Sequence, residues 1–171
     1  MLQAPSILVV EDEPNDRILI EEAFRWAAPD AQVHFVQEGS QAIAYLSGEG
    51  PYSDRARYPF PTLITTDLRM PGMDGFALIE HLKSNPAWAA FPIVVLSGST
   101  HPGDIQRAYL LGVSSFHQKP NNFSELRKQI QLLCAYWCTC ELPKIDPVIW
   151  GSVPVANAAP ANDLSALRVS Q

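Results

Sequence analysis

Five short apolar runs, each followed by a segment of helical periodicity, constrain this chain more than anything else in it. Ser6 to Val10 (SILVV) is too short for a stable helix and apolar almost throughout, the pattern of a strand buried on both faces. Gln32 to Gln37 alternates around Val33, Phe35 and Val36, and Leu63 to Thr66 is rich in β-branched residues. Pro92 to Leu96 (PIVVL) and Val113 to Gln118 complete the set of five strands. Between them, Ile20, Ala23, Phe24 and Ala27 recur at helical spacing after a cap at Asn15 or Asp16 and before a stop at Pro29. Ala42, Ile43 and Leu46 predict a short helix that Gly48 can end, and Asp74 can cap one carrying Phe76, Ile79 and Leu82 that stops before Pro86. Ile105, Ala108, Tyr109 and Leu111 mark a fourth helix closing at Gly112. Asn122 and Glu125 stand at capping-box spacing at the start of the last, Asn122 to Cys140, with Leu126, Ile130, Leu133 and Trp137 on one stripe. Strict β then α alternation predicts an α/β, doubly wound fold: a parallel sheet, right-handed crossovers and helices on both faces.

The 171 residues, 47% of them hydrophobic, suffice for one substantial core, expected over residues 6–140. Residues 48–61, with Gly50, Pro51, Pro59 and Pro61 among polar side chains, read as a surface loop inserted before the third strand, ordered or mobile. Residues 141–171 turn to Pro, Ala, Ser, Asn and Val without a sustained period and are expected to form a mobile tail, in which Ile149 and Trp150 are the adhesive exceptions. A formal charge of −6 with no Lys/Arg run argues against nucleic acid as a partner. No apolar run approaches the roughly 20 residues of a membrane span, and Met1 to Ser6 lacks the features of a secretion signal, so no membrane role and a cytoplasmic location are expected. Cys134, Cys138 and Cys140 crowd into one segment, an odd set that describes no disulfide framework and reads as packing thiols.

In a parallel sheet of this kind every strand's carboxyl end lies on one edge, where such folds bind ligands. That edge would gather Glu11 and Asp12 from the first strand, Asp67 from the third, Ser97 from the fourth and Lys119 from the fifth. Taken singly, each has an ordinary explanation as a cap, a turn former or a solvated charge. Together, at four correctly ordered strand ends, they describe a site. Three clustered carboxylates repel one another and call for a cation, and Mg²⁺, held by oxygen ligands with positions left for water and phosphate, is the natural one. An aspartate can act as nucleophile toward phosphorus, and Lys119, the Ser97 hydroxyl and loop amides could share the charge of the transferring group.

The motifs VVEDEPND, TDLRMPGMDGF, VVLSGS and FHQKP, so placed, make the chain resemble the receiver domain of two-component response regulators. The resemblance covers about Ser6 to Cys140. It implies a (βα)5 flavodoxin-like fold with strand order 2-1-3-4-5. It also implies that Asp67 accepts a phosphoryl group from a histidine kinase, that Glu11, Asp12, Asp67 and the Arg69 backbone carbonyl hold Mg²⁺, and that Lys119 contacts phosphate. Ser97 and Phe116 would form the switch pair, Gly98 would belong to the phosphate environment, and the Lys119–Pro120 bond would be cis. The insertion, the segment DIQRAYLLGVSSF and the pair Tyr136 and Trp137 look like the small stand-alone regulators that serve bacterial and cyanobacterial phytochromes. That narrower likeness implies a phytochrome-type sensor histidine kinase as donor and a homodimer through the face of the fourth helix, fifth strand and fifth helix.

Three positions depart from the commoner family pattern. Glu11 stands where many receivers have aspartate, and Phe116 lacks a tyrosine's hydroxyl, so its switching must act through packing. Arg69, two residues past the acceptor, is large and cationic, and is expected to shield the acyl phosphate from water or to add a phosphate contact. Two other functions compete with the phosphoswitch. A phosphohydrolase using Asp67 would need a nearby general acid, and Leu68 and Arg69 follow instead; a constitutive adaptor would leave the acidic site without use.

Overall fold

A computed structural model describes residues 5–142. Five parallel strands, β1 (Ser6–Val10), β2 (Gln32–Val36), β3 (Leu63–Thr66), β4 (Ile93–Ser97) and β5 (Ser115–Gln118), form one sheet in the order β2-β1-β3-β4-β5. The helices are α1 (Pro14–Ala27), α2 (Gly39–Ser47), α3 (Gly75–Ser84), α4 (Pro102–Leu110) and α5 (Phe123–Trp137). The expected architecture, order included, is the one observed.

Alternation along the strands sorts side chains onto two cores. Leu8 and Val10 of β1 join Ile64, Ile93 and Val95 beneath α2, α3 and α4, with Tyr45, Phe76, Leu78 and Phe91 filling the layer. Ile7 and Val9 point the other way, meeting Leu63, Val94 and Leu96 beneath α1 and α5, which supply Ile20, Phe24, Leu126, Ile130 and Leu133. Cys134 is buried in that second layer as a packing thiol, its pKa pushed up to about 12 chiefly by burial, while Cys138 is exposed. Trp137, expected on the buried stripe of α5, packs only partly against it.

Helix boundaries follow local chemistry. Glu13 caps α1 through the Asn15 N–H, with Pro14 in the first turn, so neither Asn15 nor Asp16 is the cap. Asp74 accepts from the Ala77 N–H at 2.8 Å and Asn122 from the Glu125 N–H at 2.9 Å, as their spacing predicts. Gly48 ends α2 at φ 71°, a left-handed conformation that glycine enters without steric cost.

The insertion is ordered. A 3-10 turn at Gly50–Ser53 folds Tyr52 and Tyr58 back on Tyr45, with ring centroids 5.2 to 5.9 Å apart, and His34 of β2 lies 5.6 Å from both Tyr45 and Tyr58. Arg55 stacks over Phe60 and donates to the carbonyls of Tyr45 at 2.7 Å and Leu46 at 2.6 Å. It thereby gives Leu46 O, at the end of α2, a partner, and adds a second donor to Tyr45 O, which also accepts from the Gly48 N–H at 3.2 Å. Of the expected tail only Glu141 and Leu142 are described; the rest, Ile149 and Trp150 among it, lies outside the described residues.

Candidate functional site

The carboxyl edge of the sheet extends its ladder one residue beyond the strands. Glu11 N–H donates to Val36 O at 2.9 Å, Asp67 N–H to Val10 O at 3.0 Å and Lys119 N–H to Ser97 O at 2.8 Å. Three chemically active side chains therefore spring from backbone fixed by neighbouring strands. Gly75, the first residue of α3, is pressed against this edge: a Cβ there would lie 2.0 Å from the Asp67 carbonyl oxygen. Only glycine lets α3 start so close behind the acid.

Asp67, 9% exposed, has two unlike oxygens. Oδ1 accepts from the Leu68 N–H, the Arg69 N–H at 3.3 Å and the Ser97 hydroxyl at 2.6 Å. Among the described residues, Oδ2 accepts only from Lys119 Nζ, at 2.6 Å. Lys119 also meets Glu11 Oε2 at 2.6 Å and Asp16 Oδ2 at 2.7 Å, so one ammonium serves three carboxylates. Those partners raise the Lys119 pKa against the opposing effect of its burial, keeping the ammonium charged. For Glu11, 1% exposed, burial outweighs the pull of Lys119 and lifts the carboxyl to about 7.

The sequence-predicted residues thus converge in part. Glu11, Asp67, Ser97 and Lys119 form one hydrogen-bonded group, and the half-buried carboxylate of Asp12 stands outside it. Phe116 is half-buried against the α4 side of the core, its N–H donating to the Tyr109 hydroxyl at 3.2 Å. Gly98 borders open space, since a Cβ there would meet nothing within 4 Å. The Arg69 guanidinium is bonded to Asp104 at 2.7 Å.

One expectation is overturned: among the described residues no peptide bond is cis, so Lys119–Pro120 is trans. Trans is the lower-energy isomer of an X–Pro bond by about 0.5–1 kcal/mol, and nothing in the paired Lys119 backbone demands the other. Two residues were missed as well, Asp104, the partner of Arg69, and Asp16. Asp16 read as a helix cap, but with Glu13 in that role its carboxylate is free to reach Lys119 across the site. The available signal was position, an acid in the first turn of a helix that starts at the site's own edge.

Among the described residues no group of three or more His, Cys, Asp or Glu is gathered tightly enough to hold a metal ion by itself. Lys119 is seated where the carboxylates converge. The donor chemistry nevertheless fits a hard divalent cation. All the available ligands are oxygens, and a single ammonium leaves the three carboxylates it serves undercompensated, with Glu11 displaced toward its neutral form.

Comparison with known proteins places this arrangement. The family model for the response regulator receiver domain matches residues 7–131. The response regulator Rcp1 of Synechocystis sp. is 33% identical over 138 residues, covering 80% of this chain and 92% of that one. Among solved structures, the phosphorylated cyanobacterial phytochrome response regulator RcpA superposes with a TM-score of 0.75 at 34% identity, covering 82% of this chain and 99% of that one. The Mn²⁺-bound form of Rcp1 gives 0.74 at 32% identity, with the same coverage. The family model spans most of the chain and these relatives cover four fifths of it, so the chain belongs to the response regulator receiver family.

Proposed function

We propose that this protein is a single-domain response regulator whose Asp67 accepts a phosphoryl group from a sensor histidine kinase. The observation that carries this reading is the asymmetry of the Asp67 carboxylate. Oδ1 is held by three donors, and Oδ2 has Lys119 alone, so Oδ2 is the oxygen with a lone pair to spare for phosphorus. As the bond to the donor's nitrogen breaks, negative charge on the equatorial oxygens falls within reach of Lys119 and the Ser97 hydroxyl. Glu11, Asp12, Asp67 and the Arg69 carbonyl would hold Mg²⁺, supported by the manganese-bound relative. When bound, the ion would supply positive charge that Lys119 cannot provide alone.

Phosphorylation adds about −1.5 to −2 charge beside Ser97, and we read Ser97 and Phe116 as the pair that carries the change to the face of α4, β5 and α5. Tyr109, Leu110, Leu132 and Tyr136 are exposed on the helices of that face, which supports its use for homodimerisation. The phytochrome relatives support a phytochrome-type kinase as donor. With no membrane-spanning helix among the described residues, a cytoplasmic kinase domain is a compatible partner.

Incubation with acetyl phosphate and Mg²⁺, followed by phosphate-affinity electrophoresis, tests the reading. A shifted, acid-stable and base-labile species is expected, lost in Asp67→Asn and on chelation. No shift would favour the adaptor, and rapid turnover of an added phosphate ester the hydrolase. Sedimentation of the phosphorylated and unmodified forms tests dimerisation, which a monomer in both would contradict.

A further inference from the structure

Arg69 and Asp104 close a ring of hydrogen bonds that joins the acceptor loop to α4. Asp67 Oδ1 accepts from the Arg69 N–H at 3.3 Å, and the Arg69 guanidinium donates to Asp104 Oδ2 at 2.7 Å. The same Asp104 oxygen accepts from the Ser99 hydroxyl at 2.6 Å. The Ser99 N–H then donates to Ser97 Oγ at 3.4 Å, and Ser97 Oγ returns to Asp67 Oδ1 at 2.6 Å. Three segments take part: the loop after β3, the loop after β4 and the first turn of α4.

The two ends of the ion pair differ in freedom. The Arg69 side chain is 70% exposed, whereas that of Asp104 is 14% exposed and sits on a helical turn whose backbone N–H bonds His101 O at 3.0 Å. Hydrogen bonds from Ser99 and Arg69 hold the Asp104 carboxyl below its ordinary range, so it remains an anion at neutral pH. A phosphoryl group on Asp67 would be a second and more highly charged anion two residues from Arg69, and guanidinium pairs with phosphate oxygens through parallel hydrogen bonds.

We propose that Asp104 is a positioning residue that holds the Arg69 guanidinium at the start of α4 in competition with a phosphoryl group on Asp67. Phosphorylation then breaks the Arg69–Asp104 pair and releases the first turn of α4 from the acceptor loop. This rests on Asp67 being the phosphoacceptor. The freed guanidinium settles on the phosphoryl oxygens and obstructs hydrolysis, in which water adds to phosphorus while the bond to the Asp67 oxygen breaks, yielding inorganic phosphate and the restored carboxylate. Without Asp104 the competitor is gone, and the phosphoryl group persists longer.

The test follows phosphate loss after loading with acetyl phosphate and Mg²⁺ in the wild type, Asp104→Asn, Arg69→Ala and the double variant. Asp104→Asn is expected to slow the loss about 2- to 5-fold, the factor an exposed ion pair supplies, with no further effect once Arg69 is alanine. Asp104→Glu restores the wild-type rate. In the wild type, the Arg69 Nε–H NMR resonance shifts on phosphorylation and, without phosphate, shifts on Asp104→Asn. Equal rates in the wild type and Asp104→Asn, an Asp104→Asn effect that survives in Arg69→Ala, or a resonance unmoved by phosphorylation each overturns the proposal. A wild type that takes up no phosphate overturns the phosphoacceptor reading itself, and this inference with it.

Discussion

The ionisation of Glu11 is coupled to folding. Its carboxyl, 1% exposed, is lifted by burial to about 7, whereas an unfolded chain leaves it near its ordinary value of 4.5. The folded state therefore holds the proton more tightly, and stability from this group is lost as pH rises from about 4.5 to about 7. Without added divalent cation, Glu11→Gln should gain stability relative to the wild type across that window, by up to about 3 kcal/mol. Chemical denaturation of both proteins at several pH values measures the difference, and a gap independent of pH would contradict it. Gly75 gives a purely steric test. Alanine there drives a Cβ onto the Asp67 carbonyl, so Gly75→Ala should cost about 2 kcal/mol and displace the acceptor loop, read from a urea midpoint and from the amide resonances of Leu68 and Arg69. An unchanged midpoint would show that α3 can retreat freely.

At the scale of elements, the insertion behaves as a clasp on α2 rather than as a loose loop. Arg55 bonds the Tyr45 and Leu46 carbonyls and stacks on Phe60, while Tyr45, Tyr52 and Tyr58 pack edge to face or tilted. Arg55→Ala should cost about 2 kcal/mol, by loss of charge-assisted hydrogen bonds, and should open residues 48–61 to limited proteolysis. Full protease resistance would assign the order to the tyrosines alone. The strands were legible because period and length agree in every run, and the Asp74 and Asn122 caps because their chemistry is local. The clasp was not legible, since nothing in the spacing of Arg55 announces that it reaches carbonyls nine and ten residues back. Asp16 and Asp104 escaped for the same reason. Each is an acid in a first helical turn, where a local explanation exists, and only the folded chain sets them against Lys119 and Arg69. The Lys119–Pro120 isomer, expected to be cis by resemblance, is trans, because a preference shared by relatives does not fix one bond in one chain.

Across the whole molecule, two cores on opposite faces of the sheet leave one edge where strand ends supply chemistry, and that edge holds more negative charge than one lysine neutralises. Added positive charge relieves that excess, which is how a divalent cation would act in the function proposed above. Asp67 is the centre of this account, because Oδ1 is fixed by three donors while Oδ2 is held by Lys119. The most direct measurement is to load the protein with acetyl phosphate and Mg²⁺, trap the acyl phosphate by borohydride reduction and map the product by tandem mass spectrometry. Reduction confined to Asp67 is the predicted result; reduction at another carboxylate, or at none, would contradict the account.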